Sequence, residues 1–259
     1  MLPGAIFTFA GLSASASITV SVGCGVGIMV AVGRRWYRQT ITRIESHSTH
    51  LRSAIGIAAT AGGMPTYWTE HAMTPETLAQ IQHVIGALGI RRVIELGSGL
   101  STLVIAHSFR RTGEGKVLSI DDDARWAAQT KNILARENLE AFAGVRVVAM
   151  KEITAGDRAA PWYNLSSLDP QARFDIVIVD GPPAWKGDSL ARLPALYELR
   201  RHLGENGMLV LDDAARPGER EIARQWQRDF PELYFRMVNI GRGLFVASVD
   251  KASLDFFPL

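Results

Sequence analysis

The sequence predicts an α/β fold: a doubly wound, mostly parallel seven-stranded sheet with a closing antiparallel hairpin, preceded by a transmembrane helix. Three observations carry this. Short β-branched runs alternate with helical stretches from residue 93 onward. The runs are apolar throughout instead of alternating, as strands covered on both faces are. And residues 1–33 hold no charged side chain.

Taken in order, Ile18 to Val32 is almost wholly apolar or small, and Arg34-Arg-Trp-Tyr-Arg38 follows at once. Roughly 20 such residues in a helix cross a bilayer, and flanking basic residues stay on the cytoplasmic side. The expectation is a single-pass anchor over 1–33 in the inner (cytoplasmic) membrane, with the rest of the chain in the cytoplasm. A secretory signal is the competing reading, but it lacks a basic start and its charge falls on the wrong side. Residues 34–62 read as a helical juxtamembrane linker, with Ile41, Ile44, Leu51 and Ile55 near helical spacing and a break at Gly62-Gly63. Residues 63–259 are the globular domain.

Thr74-Pro-Glu-Thr77 opens a helix with an N-cap threonine and a first-position proline, and Leu78 to Leu88 continues it up to Gly89. Strand Val93–Leu96 leads to helix 100–111, and strand Lys116–Ile120 to helix 124–136. Val145–Met150 and Phe174–Val179 are the third and fourth strands. Helix 188–203 precedes strand Met208–Leu211, and Arg216–Phe230 is a further helix. Leu233–Ile240 and Leu244–Val249 form the hairpin around Gly241-Arg-Gly243.

Composition narrows the chemistry. With 28 basic and 26 acidic residues the formal net charge is +2, and no Lys/Arg block marks a nucleic-acid surface. Cys24 is the single cysteine, which excludes an internal disulfide and a cysteine-based zinc site.

The strand–turn–helix at Val93-Ile-Glu-Leu-Gly-Ser-Gly-Leu-Ser-Thr102 carries the strongest signal. Its glycines let backbone approach a ligand closely. A dinucleotide site calls for a third glycine where Thr102 stands. An acid two residues before the first glycine, as Glu95 is, suits the ammonium of a methionine moiety better than a pyrophosphate. The turn therefore favours S-adenosylmethionine over NAD. Asp121 ends the second strand 22 residues after Gly99, where a carboxylate can accept from both ribose hydroxyls; Asp123 reads as the cap of the next helix.

Asp180 and the pair Asp212-Asp213 end the fourth and fifth strands, at the same edge of the sheet. Carboxylates so gathered repel unless a cation intervenes, and an all-oxygen set favours Mg²⁺. Asp180, Asp212 and Asp213 are thus candidate ligands for a metal that would lower the pKa of a substrate hydroxyl. Helix capping, or neutralisation by Arg216, is the alternative reading. Trp162-Tyr163, in an expected loop, is a candidate substrate wall. Arg192 and Arg216 are candidates for an anionic substrate group or for pairing with nearby acids. His71 is a candidate base above the pocket.

The set ELGSGLST (95–102), LSIDDD (118–123), WY (162–163), VDGPP (179–183), ARLPAL (191–196) and LDDAARPGER (211–220) resembles class I S-adenosylmethionine-dependent methyltransferases. It is most similar to a bacterial group reading ELGSGxST, VDGPP and LDDAxRxxE. The resemblance spans about 63–259 and implies a Rossmann-like fold. It places Glu95, Gly97 and Gly99 on the methionine part of the cofactor, with Ser98, Ser101 and Thr102 on the same turn. Asp121 falls on the ribose, and Asp180 at the cofactor's edge. A looser similarity is to catechol-type O-methyltransferases, which bind magnesium at positions matching Asp180, Asp212 and Asp213. There an Asn stands in place of Asp213, and the catalytic lysine follows its acid by three residues; Lys186, six after Asp180, is the matching candidate base beside the catalytic candidates Asp180 and His71, with a solvated loop lysine as the alternative.

These features together imply O-methylation of a hydroxylated acceptor: a small molecule, a glycan or a lipid-linked group. A non-catalytic cofactor-binding or scaffolding protein of the same fold is the alternative, and an NAD-dependent enzyme a weaker one.

Overall fold

The computed structural model describes residues 14–61, 69, 71–183 and 187–258, with side chains from residue 31 onward except 32, 33, 36, 43, 44, 46 and 61. The chain divides into two compact units, residues 1–49 and 50–259. Helix α1 (Ala14–Ala61) runs through the first and into the second. Among the described residues, no helix is long and apolar enough to cross a membrane. The apolar side chains of 18–30, on which the expected anchor rests, and the break at Gly62-Gly63 lie outside the described residues. Within the second unit the end of α1 buries Ala54 and Ile57, while Leu51 and Ile55, expected on the apolar stripe, are exposed. The buried stripe is offset by about one residue from the expected one.

Helix α2 (Pro75–Leu88) begins as its sequence dictates. The Thr74 hydroxyl accepts from the Thr77 N–H, Pro75 sits where no N–H is needed, and Gly89 ends the helix in the left-handed region at φ +62°. Strand β1 (Arg92–Leu96), helix α3 (Leu100–Thr112), strand β2 (Lys116–Asp121) and helix α4 (Ala124–Arg136) follow within a residue of expectation. Asp123 caps α4, accepting from the N–H groups of Arg125 and Trp126.

Two stretches depart from the sequence reading. The third strand, β3, spans only Ala143–Val147, and β4 (Met150–Ala155) and β5 (Arg158–Tyr163) then pair as a separate antiparallel ribbon. The ribbon turns at Gly156-Asp157, where Gly156 takes φ +63°. Trp162 and Tyr163 are therefore strand residues, both buried, and not members of a loop. After β6 (Phe174–Val179), the expected helix 188–203 shrinks to α5 (Pro194–Leu199) and one 3₁₀ turn. Pro194, which has no N–H, takes the first turn of α5. The segment ahead of it winds as turns that carry Arg192 inward.

Strand β7 (Leu203–Leu211), helix α6 (Pro217–Asp229) and strands β8 (Tyr234–Val238) and β9 (Leu244–Ser248) complete the unit. The seven-stranded sheet has the order β3-β2-β1-β6-β7-β9-β8, with β9 antiparallel to both neighbours. Alternate strand residues feed two cores. Val93, Ile176 and Val210 pack with Leu103 and Phe109 on one face, while Ile94, Val177 and Leu211 pack with Leu196 and Trp226 on the other. The sheet is thus buried on both sides, which explains why its strands read as unbroken apolar runs.

Candidate functional site

The strand order reverses between β1 and β6, and in open α/β sheets the crevice beyond the carboxyl ends at such a point takes the ligand. A cavity of about 330 Å³ lies there. Its walls are the turn from Gly97 to Ser101, Asp121 to Asp123, Trp126, Tyr163, the turn after β6, Arg192, Asp213, Arg216, and the segment from His71 to Met73.

Gly97 takes φ +92°, and a Cβ there would lie 3.3 Å from the Gly181 nitrogen. Both turns can close on the crevice only because neither residue carries a side chain. Thr102 fastens the start of α3. Its hydroxyl accepts from the Gly99 N–H at 3.1 Å and donates to Glu95 Oε2 at 2.5 Å.

Glu95 differs in place from the sequence expectation. On β1 it shares a face with Val93, so it points toward α3 and its register neighbour Ser119, whose hydroxyl donates to the same Oε2. It lies fully buried, off the cavity wall, and its Oε1 has no hydrogen-bond partner. Burial is the main cause raising its pKa above the usual value. The cavity wall is formed by the turn residues that follow it, Gly97 to Ser101.

Asp121 does reach the wall, with its carboxylate turned to the protein. Oδ2 accepts from the Ser98 N–H at 2.8 Å and the Ser98 hydroxyl at 2.5 Å, and Oδ1 accepts from the Asp123 N–H at 2.9 Å. Oδ2 is filled by these two bonds, and Oδ1 retains one lone pair toward a hydroxyl. Trp126, which carries no motif signal of its own, closes this side, its indole N–H donating to the Ser98 carbonyl at 2.5 Å. Its position in the first turn of a helix that follows an acid-ending strand is the one feature of the sequence that points to it. The buried Tyr163 presents to the same cavity, and burial, followed by the nearby Asp122 and Asp121, holds its hydroxyl well above the usual phenol range.

Beyond β6 and β7, Asp180, Asp212 and Asp213 converge as expected, with one oxygen from each within 4.8 Å of the others. Arginines accompany them. Arg192 is 3% exposed and reaches Asp180 Oδ1 at 3.3 Å and Asp213 Oδ2 at 3.4 Å. Arg216, half-exposed, pairs with Asp213 at 2.9 Å. Arg242, from the β8–β9 turn, pairs with Asp213 and lies 3.6 Å from Asp212 Oδ2. Burial first, then Asp212, pushes Asp180 well above the ordinary carboxylate range, against the pull of Arg192. Burial and then Asp213 push Asp212 up to about 6, against Arg242. Asp213 adopts φ +59°, which turns its carboxylate into the arginines.

The donor set does not fit a magnesium ion in this arrangement. Asp180 and Asp213 already accept from guanidinium groups, and among the described residues only Asp212 of the three has no hydrogen-bond partner at either oxygen. Arg192 and Arg216 pair with nearby acids, one of the two roles expected of them, and Arg242 is the member that sequence reasoning does not place here. A basic residue between the two glycines of a hairpin turn carries no signal of a contact this distant. His71 stands on the cavity wall, as expected of a residue above the pocket, and Lys186 lies outside the described residues.

Residues 94–214, which include the glycine turn, Asp121 and Asp180, match a family model described as a methyltransferase domain. Among solved structures, the chain is similar to an SAH-bound methyltransferase from Podospora anserina, with 13% identity, coverage of 95% of this chain and 98% of that one, and a TM-score of 0.55. It is also similar to the N-terminal domain of human METTL16 in complex with SAH (16% identity, coverage of 78% and 82%, TM-score 0.52). A third is the O-methyltransferase of tomaymycin synthesis from Streptomyces achromogenes in complex with SAM (17% identity, coverage of 76% and 89%, TM-score 0.50). These likenesses establish the fold. No curated protein sequence matches the chain.

Proposed function

We propose that this domain transfers a methyl group from S-adenosylmethionine to an oxygen of a hydroxylated acceptor. The observation that carries the reading is a glycine turn open to a ligand inside an acidic surround. Asp121, Asp122 and Asp123 line the cavity beside the turn, while Asp180 and Asp213 across from them are met by arginines. Such a surround favours a cationic sulfonium donor over its neutral product. In the transfer, the acceptor oxygen forms a bond to the methyl carbon as the carbon–sulfur bond breaks and its electron pair passes to sulfur. The acceptor's proton leaves to a protein base, for which His71 and Asp180 are the wall residues of suitable chemistry. The rest of the work is alignment of donor and acceptor. Magnesium assistance at Asp180, Asp212 and Asp213 is not part of this reading, because guanidinium groups already meet those carboxylates.

Residues 1–33 serve in this reading as a single-pass anchor in the inner membrane, with the domain on the cytoplasmic side and a glycan, lipid-linked or small hydroxylated acceptor close to the bilayer. Nucleic acid is not a partner.

Calorimetric titration of S-adenosylmethionine into the full chain in detergent tests the core of the proposal. Saturable binding, weakened by Gly97→Val, supports it. A folded sample that takes up no heat refutes it. Fractionation of cells producing the chain with and without residues 1–33 tests the anchor, which fails if both forms sediment with membranes.

A further inference from the structure

We infer that the guanidinium of Arg192 is the built-in cation of the acidic centre, and that the domain holds its acceptor end together without a divalent metal. The inference rests on the reading above only for its bearing on catalysis.

Arg192 has five N–H donors, and the structure gives each an oxygen. Nε donates to the Pro182 carbonyl at 3.3 Å. One terminal nitrogen donates to the Asp212 carbonyl at 3.1 Å and Asp213 Oδ2 at 3.4 Å, and the other to the Asp180 carbonyl at 2.5 Å and Asp180 Oδ1 at 3.3 Å. Three of these acceptors are backbone carbonyls that follow β6 and β7. One side chain therefore ties together the two turns that form this end of the crevice. Glu219, buried on α6, adds its carboxylate at 3.7 Å.

Charge decides between arginine and metal. Four carboxylates, of Asp180, Asp212, Asp213 and Glu219, meet three guanidiniums, of Arg192, Arg216 and Arg242. Even with every carboxylate ionised, at most one negative charge remains unmatched. A divalent ion brought among them would sit against Arg192, itself 3% exposed and without a water shell to retreat into. Lysine would keep the charge but not the tie between the two turns, because an ammonium offers three donors from a point and not five in a plane.

Mn²⁺ alone, titrated into the full-length protein and followed by electron paramagnetic resonance, tests this. S-adenosylmethionine binding measured on the same sample keeps the outcome separate from the fate of the methyl-transfer reading. The wild type is expected to show no specific Mn²⁺ site, and chelator to leave its affinity for S-adenosylmethionine unchanged. Arg192→Met is expected to bind Mn²⁺ about tenfold or more tighter than the wild type. The added change Asp212→Asn removes that site, and Arg192→Lys, which keeps the charge, continues to exclude the ion. A merely structural arginine would not produce this division between Met and Lys. Stoichiometric Mn²⁺ binding by the wild type, lost in Asp212→Asn, overturns the inference. So does a folded Arg192→Met that gains no site. If Arg192→Met yields no folded protein, the wild-type titration against Asp212→Asn decides alone.

Discussion

The two halves of the crevice hold their buried acids by different means. Beside β1 and β2, Glu95 and Asp121 accept hydrogen bonds from hydroxyls and backbone N–H groups, and among the described residues no arginine or lysine donates to them. Beside β6 and β7, Asp180, Asp212 and Asp213 meet three arginines. Neutral donors stabilise a carboxylate without cancelling its field, whereas guanidiniums cancel it. The first half therefore keeps negative potential available for a cationic ligand, and the second commits its charge to its own rigidity.

That contrast is open to experiment. Arg192→Ala removes the cation from a buried cluster and should cost about 3–5 kcal/mol of unfolding free energy, read from denaturant curves; a loss below about 1 kcal/mol would show that the arginines are dispensable to the fold. Thr102→Val leaves the Gly99 N–H and one Glu95 bond unmade and should cost about 1–3 kcal/mol by the same measurement.

Glu95→Gln keeps the shape and removes the charge. It should weaken S-adenosylmethionine by about tenfold and SAH less, as calorimetry can compare; equal losses would mean that Glu95 only holds the turn. The same variant has a signed pH signature. Burial raises the Glu95 pKa in the folded state. Ionisation there is therefore disfavoured, and the wild type loses stability as pH rises from the ordinary value of 4.5 through the raised one. The stability of Glu95→Gln relative to wild type should grow over that window. Arg216→Ala is the mildest change. Its half-exposed guanidinium shares Asp213 with two others, and its loss should cost less than about 1 kcal/mol.

The cofactor half is the more legible in sequence, because its parts are local. Glu95, Gly97, Gly99, Thr102 and Asp121 lie within 27 residues of one another, on strand–turn–helix units whose apolar runs and glycines speak for themselves. Glu95 is legible as an acid beside the cofactor turn, but the face it occupies follows from strand pairing with Ser119. The β4–β5 ribbon escapes a sequence reading because Pro161 within a strand argues against one; it is tolerated here in a two-stranded sheet. The Gly156-Asp157 pair is the turn signal that marks it. The arginine half is the harder to read. Its acids are visible at strand ends, but Arg192 sits in a segment that resembles helix, and Arg242 comes from a hairpin distant in sequence. Which cation meets which acid is decided by topology, not by spacing.

Arg242 also donates to the Ala72 carbonyl at 3.0 Å, joining residues 170 apart in the chain. Ribosomes deliver the chain from its N-terminus, so the β1–α3–β2 half can form while the β8–β9 turn is still unmade. The segment that bears His71 gains this bond only when that turn arrives. The crevice thus has its first wall early in synthesis and its full lining only once the later strands and their turns are in place.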